Sequence, residues 1–285
     1  MDSKKPRKIL IVGPGYLGKN LADQLLSEGH EVHTLSRNDP RIKGSSHIPG
    51  DVRAPFELKF NYDLIYYLVS PDGFSEEAYE GVYYHGLSNT LEAIEVSDTK
   101  PFFVFASSTS LFAENSGSSV NEDSKISLRP PIQSLAKGES LLTSHSIPSC
   151  ILRFAGIYGP GRDRLVVQVS KGMAKLRRKE SISNRIHLFD AVGILNFIAN
   201  IPNPKPLYLV CDSEPSPYNE VLRWLHEHLK VENPLSYEAD GVVHKRASNK
   251  YCSNQLIRQE GYQFIFSSFK EGFLQIINDS KFRRG

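Results

Sequence analysis

Residues 8–18 read KILIVGPGYLG, a short apolar run followed by three closely spaced glycines. The apolar run predicts a buried strand over residues 8–12, and apolar residues at helical spacing predict a helix over residues 17–28. Residues 31–36 alternate between polar and apolar and predict a second strand. Strand, glycine turn, helix and strand together make a βαβ unit, which places the two strands parallel in one sheet.

The alternation of strand and helix patterns continues to about residue 155. It predicts an α/β fold, a Rossmann-type doubly wound parallel sheet, with a core domain over residues 1–158. Beyond Gly159 the pattern loosens, and we interpret residues 159–285 as a smaller C-terminal lobe, partly interleaved with the core. The further predicted strands are 64–69, 101–106, 149–154 and 207–210; the further helices are 76–96, 133–144, a basic stretch ending at residue 179, 190–200, 219–230 and 268–278.

The composition is that of an ordinary folded protein. Of the 285 residues, 40% are hydrophobic and 23% are charged, which argues against intrinsic disorder. Lys and Arg number 34 against 32 Asp and Glu, so the net charge of +2 provides no field for holding nucleic acid or an anionic membrane. We therefore expect neither of these partners.

The three cysteines, Cys150, Cys211 and Cys252, lie far apart in the sequence. This odd, scattered set argues against a disulfide framework and a zinc site, and it favours a reducing compartment. His226 and His228 are two residues apart on a predicted helix and point in different directions, so no metal site is predicted. The apolar run after the basic start is too short for a signal peptide or membrane span, and we expect a cytoplasmic location.

The glycines of the opening turn fit the pattern Gly-x-Gly-x-x-Gly. The pattern is common alone, but here it follows a strand and opens a helix, so the amides at the helix start can face a pyrophosphate. The alternative is a plain turn between strand and helix. We predict that the turn binds a dinucleotide through Gly13, Gly15, Tyr16, Leu17 and Gly18.

The end of the second strand indicates which dinucleotide binds. An Asp or Glu there usually contacts a free ribose, whereas this strand ends in Ser36-Arg37. The Arg37 guanidinium suits a 2′-phosphate, with Ser36 as a further donor, which favours NADP over NAD. Asp39 is near enough in sequence to keep NAD open, and a solvated Arg37 is the other alternative.

These features, with several later segments, resemble the extended short-chain dehydrogenase/reductase family, the NAD-dependent epimerase/dehydratase group. The resemblance covers most of the chain. Val12 stands where the family has its first glycine, which resembles an atypical, YeeZ-like branch. The segments that carry the resemblance are GDVR at 50–53, FASST at 105–109, ILRFAGIYGPGR at 151–162, NRIHLFD at 184–190, SNK at 248–250 and GY at 261–262.

The resemblance implies roles for individual residues. Asp51 corresponds to the family's adenine contact, and Ser108 to its active-site Ser/Thr. The Tyr-x-x-x-Lys pair falls on Gln133 and Lys137, so the position of the catalytic tyrosine holds a glutamine, whose amide does not titrate as a tyrosine does. Lys137 keeps its implied role of binding the nicotinamide ribose.

A substrate cleft is predicted from residues at the ends of strands or in the loops after them, because ligands of open α/β sheets bind there. Ser108, Arg153, Tyr158 and Arg162 form this set, and Arg162 follows a Gly-Pro-Gly turn that suits contact with an anionic substrate. Alternatively, Arg153 anchors a strand end. The basic cluster at 171–179 is either a solvated helix face or a site for a substrate diphosphate.

Two classes of function remain. The first is an NAD(P)-dependent oxidoreductase of epimerase/dehydratase type, with 1–158 as dinucleotide-binding domain and 159–285 as substrate lobe, acting on a sugar-like or nucleotide-linked small molecule. The second is a redox-sensing or scaffold protein that binds the dinucleotide without catalysis. Gln133 is the residue that separates them. The resemblance also implies a homodimer through the helices at 76–96 and 133–144.

Overall fold

The computed structural model describes residues 5–96, 100–242, 244 and 249–279. Ser248, one of the residues that carry the family resemblance, lies outside the described residues. The chain divides into two compact units: unit 1 comprises residues 1–111, 126–153 and 192–208, and unit 2 comprises 112–125, 154–191 and 209–285. The units are therefore interleaved along the chain, and unit 1 includes a segment well beyond residue 158.

Strands and helices alternate along most of the chain. The strands are β1 (Lys8–Val12), β2 (Glu31–Ser36), β3 (Ser46–Pro49), β4 (Leu64–Tyr67), β5 (Phe102–Ser108), β6 (Ser119–Val120), β7 (Ser149–Phe154), β8 (Gly156–Tyr158), β9 (Lys175–Leu176), β10 (Ile182–Ser183), β11 (Arg185–His187), β12 (Leu207–Val210), β13 (Ser216–Pro217), β14 (Ser236–Tyr237) and β15 (Tyr251–Cys252). The helices are α1 (Tyr16–Ser27), α2 (Glu76–Glu80), α3 (Gly86–Glu95), α4 (Gln133–Ser144), α5 (Arg164–Ser170), α6 (Leu188–Ile198), α7 (Tyr218–His228), α8 (Gln255–Gln259) and α9 (Phe269–Asn278).

The main sheet has seven strands in the order β12-β7-β5-β4-β1-β2-β3. β1 pairs in parallel with β2 and β4, and β2 with β3. The strand order runs outward from β1 in both directions, which is the arrangement of a Rossmann-type doubly wound sheet. The predicted fold class is confirmed, and a point of strand-order reversal lies between β1 and β4.

The core of unit 1 lies on both faces of this sheet. Four residues of β1 and all four of β4 are fully buried, as expected when helices cover both faces of a parallel sheet. The late segment 192–208 is tied to the rest of unit 1: Arg7 Nη1 donates to the Ala199 carbonyl at 2.9 Å, and Tyr66 Oη donates to the Leu195 carbonyl at 3.2 Å.

The long helix predicted over residues 76–96 contains a π-helical turn, Gly81–His85, between α2 and α3. The Tyr67 hydroxyl of β4 donates to the Val82 carbonyl at 2.6 Å within this turn. A Cβ on Gly86 would lie 2.7 Å from that hydroxyl, so the helix approaches the sheet more closely than a side chain permits. The predicted long helix is confirmed, since the three elements follow one another without a break from Glu76 to Glu95. The π-helical turn was not predicted, because it depends on the tertiary contact with Tyr67.

The prediction of a basic helix up to residue 179 was wrong. α5 ends at Ser170, and Lys175–Leu176 forms β9, which pairs with β14. Gly172 has a φ of +65°, and the Met173 N–H returns to the Gln168 carbonyl at 2.8 Å. A glycine in the left-handed region is a usual end of a helix, and it stops this one.

Unit 2 has its own buried core, formed by α5, α7 and α9. Its apolar centre includes Val166, Leu222, Leu225 and Phe273. None of the helices in the described part of the chain combines the length and the hydrophobicity that crossing a membrane requires.

Candidate functional site

An open groove of about 380 Å³ lies at the carboxyl ends of β1, β2, β3 and β4 in unit 1. Parallel strands bring the segments that follow them to one edge of the sheet, and the reversal of strand order opens a crevice there. The lining comes from Gly13, Pro14, Gly15 and Lys19, residues 35–40 after β2, 50–53 after β3, 68–70 and Asp72 after β4, and Val82.

The three glycines of the opening turn have different roles. Gly13 has a φ of +80°, and a Cβ there would lie 2.7 Å from the Val69 Cα, so the turn needs glycine. A Cβ on Gly18 would lie 3.1 Å from the Ile11 Cγ2. Because glycine lacks this atom, α1 can pack closely on β1. A Cβ on Gly15 would meet only the Gly13 carbonyl oxygen, at 4.0 Å, and would otherwise project into open space.

Gly15 is also the N-cap of α1, and no side chain caps this helix end. An uncapped helix start directs backbone N–H groups and the positive end of the helix dipole toward an anion. Tyr16, Leu17 and Gly18 form the first turn of α1 and are not among the residues that line the groove. Gly13 and Gly15 do line it, and the space left free at Gly15 fits the approach of a pyrophosphate.

Two bidentate ion pairs lie in the groove. Arg37 Nη1 and Nη2 donate to the two carboxylate oxygens of Asp72, each at 2.8 Å. Arg53 donates to Asp51 through Nε at 3.0 Å and through Nη2 at 2.6 Å. The guanidinium beside each carboxylate lowers the pKa of Asp72 and of Asp51.

The other predicted groups at the end of β2 have local partners. The Ser36 hydroxyl donates to the Asn38 carbonyl at 2.8 Å, and the Asp39 carboxylate accepts from the Arg41 N–H at 2.7 Å. Ser36, Arg37, Asp39 and Asp51 all line the groove, so the structure brings these sequence predictions to one place.

A buried polar triad joins β5, α4 and β7 of unit 1. The Glu139 carboxylate accepts from Arg153 Nε at 3.0 Å and Nη2 at 2.6 Å, and from the Ser107 hydroxyl at 2.5 Å. Glu139 and Arg153 are 7% and 5% exposed. Beside the triad, the Ser108 Oγ accepts from the Ser110 N–H at 3.1 Å. This placement favours the alternative in which Arg153 anchors the end of β7; its substrate role, and that of Ser108, stay predictions.

The face of α4 that carries Gln133 and Lys137 lines a second groove of about 690 Å³ in unit 1. Lys137 is half exposed; its Nζ lies 3.3 Å from Glu80 Oε1 and 5.9 Å from the centre of the Tyr84 ring. The two grooves have no lining residue in common. The catalytic roles of Gln133 and Lys137, and a homodimer through this helix, stay predictions. The other lining residues are Tyr84, Ile126, Leu128, Ala136, Ser140, Leu141 and Ser144.

Tyr158 belongs to the buried core of unit 2. Its ring centre lies 5.3 Å from that of His187 and 4.6 Å from that of Phe273, and its hydroxyl contacts the backbone at Gly272. Burial raises the pKa of the Tyr158 hydroxyl well above its usual range and lowers the pKa of His187 to about 4. Both side chains are therefore neutral near pH 7.

Arg162 lies on an exposed turn of unit 2. Its N–H donates to the Gly159 carbonyl at 2.9 Å, and Gly161 has a φ of +80°. The substrate-binding roles of Arg162 and Tyr158, and a cleft shared with Ser108 and Arg153, stay predictions.

A buried carboxyl and a buried guanidinium of unit 2 were not predicted as functional. The Asp212 N–H donates to the Arg185 carbonyl at 2.7 Å, and the two residues are 2% and 7% exposed. Burial raises the pKa of Asp212 to about 8 and lowers the pKa of Arg185.

Lys19, Arg53 and Asp72 also line the groove and were not predicted as groove residues. Asp72 carried a usable signal, since it follows the predicted strand 64–69 and the ends of parallel strands meet at one edge. Its pairing with Arg37, which lies 35 residues away in the sequence, had no signal in the sequence.

Comparison with known proteins supports the fold assignment. A candidate NAD-dependent epimerase/dehydratase from Methylobacillus flagellatus is 28% identical over 95% of this chain and 97% of that one, with a TM-score of 0.77. At 17% and 14% identity, the Bordetella bronchiseptica enzyme WbmG in complex with NAD and the Thermotoga maritima UDP-glucose 4-epimerase with UDP-glucose show the shared fold alone. WbmG gives a TM-score of 0.80 over 97% of this chain and 96% of its own, and the epimerase 0.81 over 97% and 98%.

Comparison with curated protein sequences gave no significant match. A family model, that of the NAD dependent epimerase/dehydratase family, matches residues 9–186 and so includes the glycine turn, the main strands of the sheet and the segment with Arg162. This match covers more than half of the chain. The chain therefore belongs to the NAD-dependent epimerase/dehydratase family.

Proposed function

We propose that the protein binds a nicotinamide dinucleotide in the groove of unit 1, NADP(H) in preference to NAD(H). We further propose that it acts as an epimerase/dehydratase-type oxidoreductase on a sugar-like or nucleotide-linked substrate. The observation that carries the binding proposal is the glycine turn, where the absent Cβ of Gly15 leaves free space at an uncapped helix start. The dinucleotide, when bound, supplies hydride transfer.

Three parts of the dinucleotide have proposed counterparts among the chain's own residues: the pyrophosphate, the adenine and the 2′-phosphate. Gly13 and Gly15 suit the pyrophosphate, and Asp51 is proposed to contact the adenine. Arg37 and Ser36 are donors for a 2′-phosphate at the end of β2, which lacks the carboxylate that a free ribose calls for. Arg37 lines the groove and supports the proposed preference for NADP, while Asp39, which also lines it, keeps binding of NAD open.

The choice of cofactor can be tested directly. We expect NADP to bind at least about tenfold more tightly than NAD, a difference of about 1.4 kcal/mol. Arg37→Asp is expected to reverse this order, because it replaces the phosphate donor by an acceptor for a ribose hydroxyl. Calorimetric titration of the wild-type protein and of Arg37→Asp with NADP and with NAD measures the four dissociation constants. Equal affinities of the wild-type protein for NADP and NAD would refute the preference.

The catalytic part of the proposal assigns roles to Ser108, Gln133 and Lys137. Ser108 lies at the carboxyl end of β5, where its hydroxyl suits a substrate carbonyl. Lys137 is proposed to bind the nicotinamide ribose, and Gln133 takes the place of the proton-transferring tyrosine. Arg162, which lies on an exposed turn that suits an anionic group, is the proposed substrate-binding residue. The substrate-binding roles of the buried Arg153 and Tyr158 stay predictions.

A second candidate function is non-catalytic binding of the dinucleotide, as in a redox sensor or scaffold. The observation that favours it is the position of Gln133 and Lys137, which line a groove different from the one that holds the glycine turn. In addition, Glu80 lies within ion-pair distance of Lys137. The YeeZ-like assignment agrees with either function and stays a prediction.

Turnover separates the two functions. With NADP⁺ and a panel of nucleotide sugars, we expect the wild-type protein to convert substrate only slowly, because an amide at residue 133 cannot transfer a proton as a tyrosine does. Chromatography of substrate and product measures this rate, since an epimerase or dehydratase returns the hydride in each cycle and forms no net reduced nicotinamide. Gln133→Tyr is expected to raise the rate by about tenfold or more. Ser140→Tyr, on the same groove of α4, is the matched control and should leave the rate unchanged.

If neither the wild-type nor the Gln133→Tyr protein turns over any substrate while NADP still binds, the non-catalytic function is the correct one. Equal gains from Gln133→Tyr and Ser140→Tyr would refute the role of residue 133.

A further inference from the structure

Arg37 and Asp72 join the two flanks of the dinucleotide groove. Arg37 directly follows β2, Asp72 lies in the loop after β4, and these two strands lie on opposite sides of β1. The Gly13–Gly15 turn follows β1 and lines the groove together with both residues. The ion pair thus connects the segments on either side of the glycine turn.

The pair uses the same donors that a phosphate would use. Both terminal nitrogens of Arg37 donate to Asp72, one to each carboxylate oxygen, at 2.8 Å. This fork is the geometry by which a guanidinium binds a phosphate, so the carboxylate and a phosphate compete for it. Two anions on one fork also repel each other.

Lys19, Arg37 and Arg53 are the cationic residues that line the groove, and of these Arg37 is the one at the end of β2, where the 2′-phosphate is proposed to bind. Arg53 is engaged with Asp51 through Nε and Nη2, so its own donors are already directed at a carboxylate. The side chains of Arg37 and Asp72 are 51% and 63% exposed, which lets them separate without burying either charge. The competition at Arg37 is therefore an equilibrium between two accessible partners.

We propose that Asp72 sets the cofactor specificity of the groove by competing with the 2′-phosphate of NADP for the Arg37 guanidinium. The inference rests on the proposed binding of a dinucleotide in this groove. NADP must displace Asp72 from Arg37, whereas NAD, which lacks the 2′-phosphate, leaves the pair intact. Asp72 thus weakens the binding of NADP and has little effect on that of NAD.

Asp72→Asn is the direct test, because it keeps the size of the side chain and removes its charge. Calorimetric titration at fixed ionic strength is expected to show a fall of about fivefold in the dissociation constant for NADP and a change of less than about twofold for NAD. The gain for NADP should shrink as salt is added, since the pair is exposed.

Asp39→Asn is the matched control. Asp39 lines the same groove, but its carboxylate accepts from the Arg41 N–H. It removes an equal charge without freeing Arg37, so we expect a change of less than about twofold in the dissociation constant for NADP. In the Arg37→Gln background, Asp72→Asn should have no further effect on NADP binding, because the guanidinium for which Asp72 and the 2′-phosphate compete is then absent.

The outcomes are distinct. An unchanged or weaker affinity of Asp72→Asn for NADP, or an equal gain from Asp39→Asn, overturns the role of Asp72 while the proposed binding of a dinucleotide stands. If the wild-type protein binds neither NADP nor NAD, the proposed function fails and the role of Asp72 fails with it.

Discussion

Gly15→Val is expected to abolish binding of NADP and NAD while the fold stays intact. In the structure a Cβ at this position meets only the Gly13 carbonyl oxygen, at 4.0 Å, so the protein itself tolerates a side chain. The same free space is what the pyrophosphate needs at the start of α1, and valine would fill it. We expect a loss of about a hundredfold or more in affinity, on the order of 3 kcal/mol.

Titration calorimetry with NADP measures the loss, and circular dichroism with thermal unfolding checks the fold. Gly73→Val is a matched control, because a Cβ on Gly73 meets nothing within 4 Å and the residue does not line the groove. It should bind NADP as the wild-type protein does. A folded Gly15→Val protein with unchanged affinity would show that the dinucleotide does not use this turn.

Arg153→Leu is expected to lower the free energy of unfolding by about 3–5 kcal/mol. The Arg153 guanidinium donates two hydrogen bonds to Glu139, and both side chains are less than a tenth exposed. Removing the arginine leaves a buried carboxylate that keeps the hydrogen bond from the Ser107 hydroxyl. A buried charge that loses its partner costs far more than an exposed one, because no water replaces the lost interaction.

Denaturant unfolding measures this loss. Lys137→Met is the matched control: it breaks the Lys137–Glu80 pair on the same helix, whose two side chains are 51% and 40% exposed, and should change stability by less than about 0.5 kcal/mol. The double variant Arg153→Leu/Glu139→Leu should recover part of the loss, since it removes the stranded carboxylate as well. Equal losses for Arg153→Leu and Lys137→Met would contradict a structural role for the buried pair.

Those parts of the fold that depend on local signals could be predicted from the sequence. The apolar runs of β1 and β4 and the glycines after β1 are contiguous signals, and the carboxyl-end rule then places Arg37 and Asp51 in one groove. The pair between Arg37 and Asp72 depends on a loop conformation, which no contiguous pattern encodes.

The helix α4 shows which features of the site could not be predicted from the sequence. Its bounds, Gln133–Ser144, were predicted, but the direction of each face depends on how the helix packs. Leu135 and Glu139 are buried, whereas Lys137 is exposed beside Glu80. Gly138 determines much of this packing, because a Cβ there would collide with the Tyr83 carbonyl. A contact of this kind, between residues 55 positions apart, has no signature in either segment alone.

The interleaving of the two units also constrains how the chain can fold during synthesis. Unit 1 needs residues 192–208, which a ribosome adds only after residues 154–191 of unit 2. Translation therefore cannot deliver a complete unit 1 before it begins unit 2, as it can for domains that follow one another in sequence. Until residue 210 is added, the nascent sheet lacks a complete β12, and until residue 195 is added, the Tyr66 hydroxyl lacks its acceptor at Leu195. The vectorial order of synthesis thus couples the maturation of both units to the last third of the chain.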